Sequence, residues 1–258
     1  MTVVKVCGIT RADQALWALE AGATMLGFVM APSRRQIHPS QVAEILSLCH
    51  HHFPRTQLAW QAVGVFANQP PQLVQQLIEE AGVDLAQLSG SEPPSYCRRL
   101  QVPVLKTIHL PPAATSPGLA EAAAAETIAA EAGSESPHRS GRLSRLAPSA
   151  ASSRWSAARL ETVRLRHGAW RLLLDAGTSH RWGGTGQSFR WDQVGEAARD
   201  CMVAGGLSPK NVLDAIALMH PWGVDVSSGV EKDGTKDRDL IRSFVRQVKG
   251  VDEHVHFG

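Results

Sequence analysis

The stretch VVKVCGITRADQALWALEAGATMLGFV, residues 3–29, is the one from which the fold of this chain can be read. Its two ends, VVKVC (3–7) and MLGFV (25–29), are short runs of β-favouring residues. Between them lies an amphipathic segment, 11–21, opened by a capping-box pattern of Thr10 with Asp13. The alternation then repeats to the end of the chain. Strand-like runs fall at 62–66, 84–88, 103–108, 171–176, 201–205 and 223–227. Helix-like segments fall at 40–51, 70–81, 93–100, 156–167, 191–199, 209–219 and 237–249, with Ser208 and Pro209 as a start signal for one of them. Strands that alternate with helices imply a parallel sheet, and eight such units close most naturally into a (β/α)8 barrel. A doubly wound open sheet is the alternative.

One segment breaks the rhythm. Residues 111–158 are more than half Ala, Ser and Pro, with sparse large apolar residues. Such a composition buries too little apolar surface to offset the entropy of ordering, so it predicts a largely disordered insertion between the fifth strand and its return helix. The expected organisation is one barrel domain over 1–250, interrupted by 111–158 and followed by a short tail, 251–258.

Composition excludes several roles. Lys plus Arg number 26 and Asp plus Glu 24, a formal net charge of +2, and no basic stripe is interleaved with aromatics, which argues against nucleic acid as a partner. No apolar run approaches the ~18 residues of a membrane span, and the N-terminus has no secretory pattern. The four cysteines, Cys7, Cys49, Cys97 and Cys201, are widely and unevenly spaced, which fits a reducing, cytoplasmic setting better than a disulfide framework. Cys49 precedes His50, His51 and His52, but consecutive histidines on a helix point in different directions and close a tetrahedral metal site poorly. No metal and no cofactor are expected.

In a barrel of this kind the reactive groups come from the C-terminal strand ends and the loops after them. Read that way, the polar residues collect at one rim. Strand one ends in Cys7; alternation sets Lys5 and Cys7 on the inner face and Val4 and Val6 on the outer one. An ammonium one layer below favours a thiolate unless Asp225, on the neighbouring last strand, neutralises it. Taken alone, a cysteine here also reads as a small buried hydrophobe. Arg34 and Arg35 follow strand two, where guanidinium can grip a carboxylate, and at least one of them reads as a solvated loop residue. Gln87 and Ser89 end strand four. Asp175 closes the apolar run RLLLD, where desolvation suits a general acid, ahead of the glycine-rich WGGTG (182–186). Gly205 and Gly206 after strand seven and Ser228 and Gly229 after strand eight form a matched pair of turns. That is where barrels commonly hold a phosphate on backbone N–H groups. Two acid–base candidates across one mouth, beside a phosphate site, point to proton transfer on a phosphorylated sugar.

The segments VKVCGIT, LGFVMAPSRRQI, VGVFAN, QLSG, LLLDAGT with WGGTGQSFRW, AGGLSPKNV and VDVSSGVE, in that order, resemble the phosphoribosylanthranilate isomerase family of tryptophan biosynthesis. The resemblance covers most of the chain apart from about 111–168 and the last residues. It implies a cofactor-independent Amadori rearrangement of the small-molecule substrate N-(5-phosphoribosyl)anthranilate, by a monomer or a homodimer. Its general base falls on Cys7 and its general acid on Asp175. The arginine for the anthranilate carboxylate falls on Arg35, with Arg34 close by. The phosphate contacts fall on Gly205, Gly206, Ser228 and Gly229, while Lys5, Gln87 and Asp225 support. One departure is QLSG where the family usually reads QLHG, so Ser89 stands in place of a histidine near the site. Competing readings are another phosphosugar-acting barrel, such as an indoleglycerol-phosphate synthase that would use a lysine like Lys106, or a phosphate-binding scaffold without catalysis.

Overall fold

The computed structural model describes residues 1–110, 155–175 and 194–255. Eight parallel strands close into a barrel in chain order: β1 (Val3–Cys7), β2 (Met25–Val29), β3 (Gln61–Phe66), β4 (Leu85–Leu88), β5 (Val104–His109), β6 (Arg171–Asp175), β7 (Met202–Ala204) and β8 (Gly223–Val226). Closure is made by β1 pairing with β8, Lys5 opposite Asp225, which overturns the open-sheet alternative. The helices are α1 (Ala12–Ala21), α2 (Pro39–His52), α3 (Pro71–Ala81), α4 (Pro94–Cys97), α5 (Ala157–His167), α6 (Val212–Met219) and α7 (Arg238–Val255). A short antiparallel hairpin, β9 (Glu231–Lys232) with β10 (Thr235–Lys236), precedes α7.

Alternation along the strands builds two cores. Val4, Val6, Leu26, Phe28, Ala62, Leu172, Leu174 and Val224 point outward into the layer beneath the helices. Met25, Val63, Leu85, Leu105, Leu173 and Met202 fill the lower barrel interior. Full burial of a side chain of this size contributes about 2 kcal/mol, so these layers carry the fold. Above them the inward positions turn polar: Lys5 is 0%, Thr107 3%, Gln87 5% and Asp225 8% exposed. Among the described residues no helix is long and apolar enough to cross a membrane.

Several sequence expectations shift at their edges. Thr10 and Asp13 do not form the capping box. Asp13 pairs instead with Arg11 and accepts from the Gln14 amide, while Gln14 Oε1 accepts from the Thr10 amide at 3.0 Å. The predicted 93–100 helix is α over 94–97 only, because Arg99 and Leu100 bond three residues back and tighten the end of the turn. Of the 191–199 helix, the described part is a 3-10 turn, Gly195–Asp200, whose first residue takes the left-handed φ of +48°. Ser208 caps a turn rather than the helix, which begins at Val212. β7 stops at Ala204 because Gly205 turns to φ +93°. The end of the 111–158 stretch belongs to the barrel: Trp155 is buried, and Ser156 accepts from the Arg159 amide to cap α5. The rest of that insertion, the WGGTG loop and the end of the tail lie outside the described residues.

Candidate active site

The C-terminal rim is organised from β1 outward. Cys7 is 7% exposed and faces inward with Lys5 one layer below, as alternation requires. Space for both comes from β2, where Gly27 pairs with Cys7; a Cβ at Gly27 would stand 2.9 Å from Cys7 Sγ and 3.0 Å from Lys5 Nζ. Lys5 Nζ donates to Asp225 Oδ1 at 2.9 Å, an ion pair within the barrel. Burial opposes the Lys5 charge, but Asp225 and Cys7 together outweigh it and hold the ammonium above the ordinary lysine range. The same pairing spends the ammonium's field. Burial pushes the Cys7 thiol up, Lys5 lowers it only in part, and Asp225 pushes it up again. The neutralisation foreseen for Asp225 is what the geometry gives, and together with burial it holds the Cys7 thiol above its ordinary range.

Arg35 sits on the loop after β2, pinned at its base by the Val29–Gln36 bridge. Its stem crosses Gly8, where an added Cβ would lie 2.4 Å from Arg35 Cδ; Gly8 takes φ +79°. Its guanidinium is clamped on one edge by Glu231, Nε to Oε1 at 2.6 Å and Nη2 to Oε2 at 2.8 Å. That leaves Nη1 and the outer N–H of Nη2 as a second fork. Arg34 also reaches Glu231, at 2.9 Å, but its side chain is 60% exposed, so it is the solvated member of the pair. Lys236 completes the clamp, donating to Glu231 Oε1 at 2.7 Å and to the Ser227 carbonyl at 3.0 Å. Burial alone would raise the Glu231 carboxyl; the bonds from Arg35 and Lys236 outweigh it and bring it to about 2.

The two glycine turns meet. Gly205 and Gly206 are left-handed, at φ +93° and +68°, which favours glycine there. Gly229, in the turn Ser228–Val230, packs so closely that a Cβ would fall 1.8 Å from the Leu207 carbonyl oxygen. The loops after β7 and β8 thus approach backbone to backbone.

Across the mouth on the same rim, Asp175 ends β6 with its side chain 31% exposed, so the burial anticipated from its apolar strand is incomplete. His109, the last residue of β5, stands beside it, Nδ1 to Oδ2 at 3.8 Å, with Nε2 2.8 Å from the Ser89 carbonyl. Below them Gln87 Nε2 donates to Ser89 Oγ at 3.0 Å, and Ser89 Oγ lies 3.1 Å from Thr107 Oγ1. Gln87 Oε1 is buried without a hydrogen-bond partner among the described residues.

Lys106 does not reach this mouth. It shares the outer face of β5 with Val104 and Ile108 and is 1% exposed, bonding Glu92 Oε2 at 3.0 Å and the Gly90 carbonyl at 2.6 Å. The reading that would use it as a rim lysine loses its residue. His50, His51 and His52 close α2 at the far end of the barrel, His50 stacked on Trp60 at 4.9 Å. Glu231, Lys236 and His109 were not singled out from sequence. Only His109 had a local signal, since it continues the inward series Leu105, Thr107 by one step beyond the predicted strand end.

Titratable groups gathered at one rim of a closed (β/α)8 barrel, with paired backbone turns beside them, define the class: a barrel enzyme working at the carboxyl ends of its strands. Comparison with known proteins narrows this. A family model described as N-(5'phosphoribosyl)anthranilate (PRA) isomerase matches residues 4–129 and 146–247, its break falling inside the Ala/Ser/Pro-rich stretch. The N-(5'-phosphoribosyl)anthranilate isomerase of Desulfitobacterium hafniense (strain DSM 10664 / DCB-2) is 36% identical over 259 residues, covering 96% of this chain and 98% of the relative. Phosphoribosyl anthranilate isomerase from Thermus thermophilus superposes with a TM-score of 0.66 at 29% identity, over 97% of this chain and 100% of that one. Another phosphoribosyl anthranilate isomerase, solved in complex with reduced 1-(o-carboxyphenylamino)-1-deoxyribulose 5-phosphate, superposes at 0.63 with 27% identity and the same coverage. The chain belongs to the PRA isomerase family.

Proposed function

We propose that this chain converts N-(5-phosphoribosyl)anthranilate into 1-(2-carboxyphenylamino)-1-deoxyribulose 5-phosphate, with Cys7 as general base and Asp175 as general acid. The observation that carries the assignment is the inward-facing Cys7 at the mouth, above the Lys5–Asp225 pair and on the same rim as Asp175. Asp175 protonates the ribose ring oxygen as the C1′–O bond breaks and an iminium forms. Cys7, as thiolate, then removes the proton from C2′ to give an enolamine, which tautomerises to the ketone. No net proton is consumed. The one given to the ring oxygen is matched by the one released as the 2′-hydroxyl becomes a carbonyl, and the one taken from C2′ by the one added at C1′. The free fork of Arg35 takes the anthranilate carboxylate end-on, its other edge being held by Glu231. The phosphate sits on the backbone of Gly205, Gly206, Ser228 and Gly229, with Lys5, Asp225 and Gln87 supporting from below. All four cysteines are free and buried, which fits a reducing cytoplasm.

The test is turnover of phosphoribosylanthranilate generated in situ, followed by loss of its fluorescence and by identification of the product as a ketose. Ketose formation is the expected result. Binding of the substrate without conversion would overturn the isomerase reading in favour of a phosphate-binding scaffold.

A further inference from the structure

We infer that His109 is the positioning residue of the proposed acid, holding the proton that Asp175 delivers; the inference rests on the acid–base reading above. A general acid must carry a proton when substrate arrives, and Asp175, with its side chain 31% exposed, is only partly covered. The neighbouring strand supplies what burial does not. The Ser89 carbonyl can only accept, so His109 Nε2, at 2.8 Å, is the donor, and this bond selects the tautomer. Nδ1 is then the ring atom turned to Asp175 Oδ2, at 3.8 Å. A neutral ring offers Nδ1 as acceptor to a protonated Asp175; a charged ring offers Nδ1–H to an ionised one. Both states keep one proton between the two groups. The separation exceeds a hydrogen bond, as is common for catalytic pairs before substrate closes the site. Ser89 makes the arrangement possible: its small side chain turns down to Gln87 and Thr107, leaving its carbonyl and the space above it to the imidazole. In the reaction, the proton released from the 2′-hydroxyl returns to the pair and Asp175 is reloaded.

The experiment compares steady-state turnover of wild type, His109→Ala and His109→Gln, with and without imidazole in the buffer. Expected is a fall in kcat of about tenfold to a hundredfold in His109→Ala with KM nearly unchanged. Free imidazole should restore it in a concentration-dependent way, the His109 side chain being 53% exposed and its vacated site open to solvent. His109→Gln keeps a donor for the Ser89 carbonyl but has no ring nitrogen for Asp175, and it should stay slow. A kcat for His109→Ala within about twofold of wild type, or a loss that imidazole does not restore and Gln does, would overturn the inference and leave a structural role. Asp175→Asn run in parallel separates the two levels. If it is inactive while His109→Ala is not, only the inference fails. If it turns over like wild type, the acid assignment fails and takes the inference with it.

Discussion

Cys7 is the residue on which the account turns, and its state is set by neighbours rather than by its own burial alone. Strand alternation made Lys5 and Cys7 legible as an inward pair, and chain closure made Asp225 legible as the third member. The partners of Arg35 were not legible, because Glu231 lies 196 residues away and no local pattern announces a pairing at that range. Asp225→Asn tests the coupling. It removes a charge that raises the Cys7 thiol and leaves the Lys5 ammonium that lowers it. The pH midpoint for alkylation of Cys7 should therefore move down, and an unchanged or higher midpoint would mean that Lys5 gives up its proton instead. The same substitution unpairs a buried charge and should cost about 3–5 kcal/mol of stability in denaturant titration.

At the level of elements, the strands were easier to read than the turns that end them. Short runs of β-favouring residues located all eight strands to within a residue or two, whereas α4, the 3-10 turn at Gly195–Asp200 and the late start of α6 depend on backbone bonding that composition does not encode. The two glycine turns after β7 and β8 are the exception, since sequence alone set them side by side. Their contact is steric: Gly229 has room for hydrogen and nothing larger against the Leu207 carbonyl. Gly229→Ala should force the loops apart and raise KM by about tenfold or more, with a smaller change in kcat, the mark of lost phosphate binding. An unchanged KM would move the phosphate elsewhere.

Across the whole molecule, stability in acid should follow Glu231, which ties the loop after β2 to the β9–β10 hairpin beside β8. Its carboxyl lies at about 2 when folded, against roughly 4.3 in an unfolded chain. A depressed carboxylate stabilises above the unfolded value and loses that contribution as pH falls towards the folded one. Chemical denaturation between about pH 5 and 2 should therefore show a loss on the order of 2–3 kcal/mol that is absent in Glu231→Gln, whose stability is already lowered at neutral pH. Equal acid dependence in the two proteins would contradict the clamp. The barrel as a whole was readable because eight repeats of one pattern admit few closures. The placement of Lys106 on its outer face followed from the same alternation once β5 was known to begin at Val104.

The most direct measurement is single-turnover conversion of phosphoribosylanthranilate by wild type, Cys7→Ser and Asp175→Asn, with substrate binding measured on the same samples. The account predicts that both variants bind the substrate and that each loses about a hundredfold or more in the rate of ketose formation. Conversion by Cys7→Ser at the wild-type rate would contradict it, leaving the barrel and the reaction but taking the proton transfer away from the thiol at the end of the first strand.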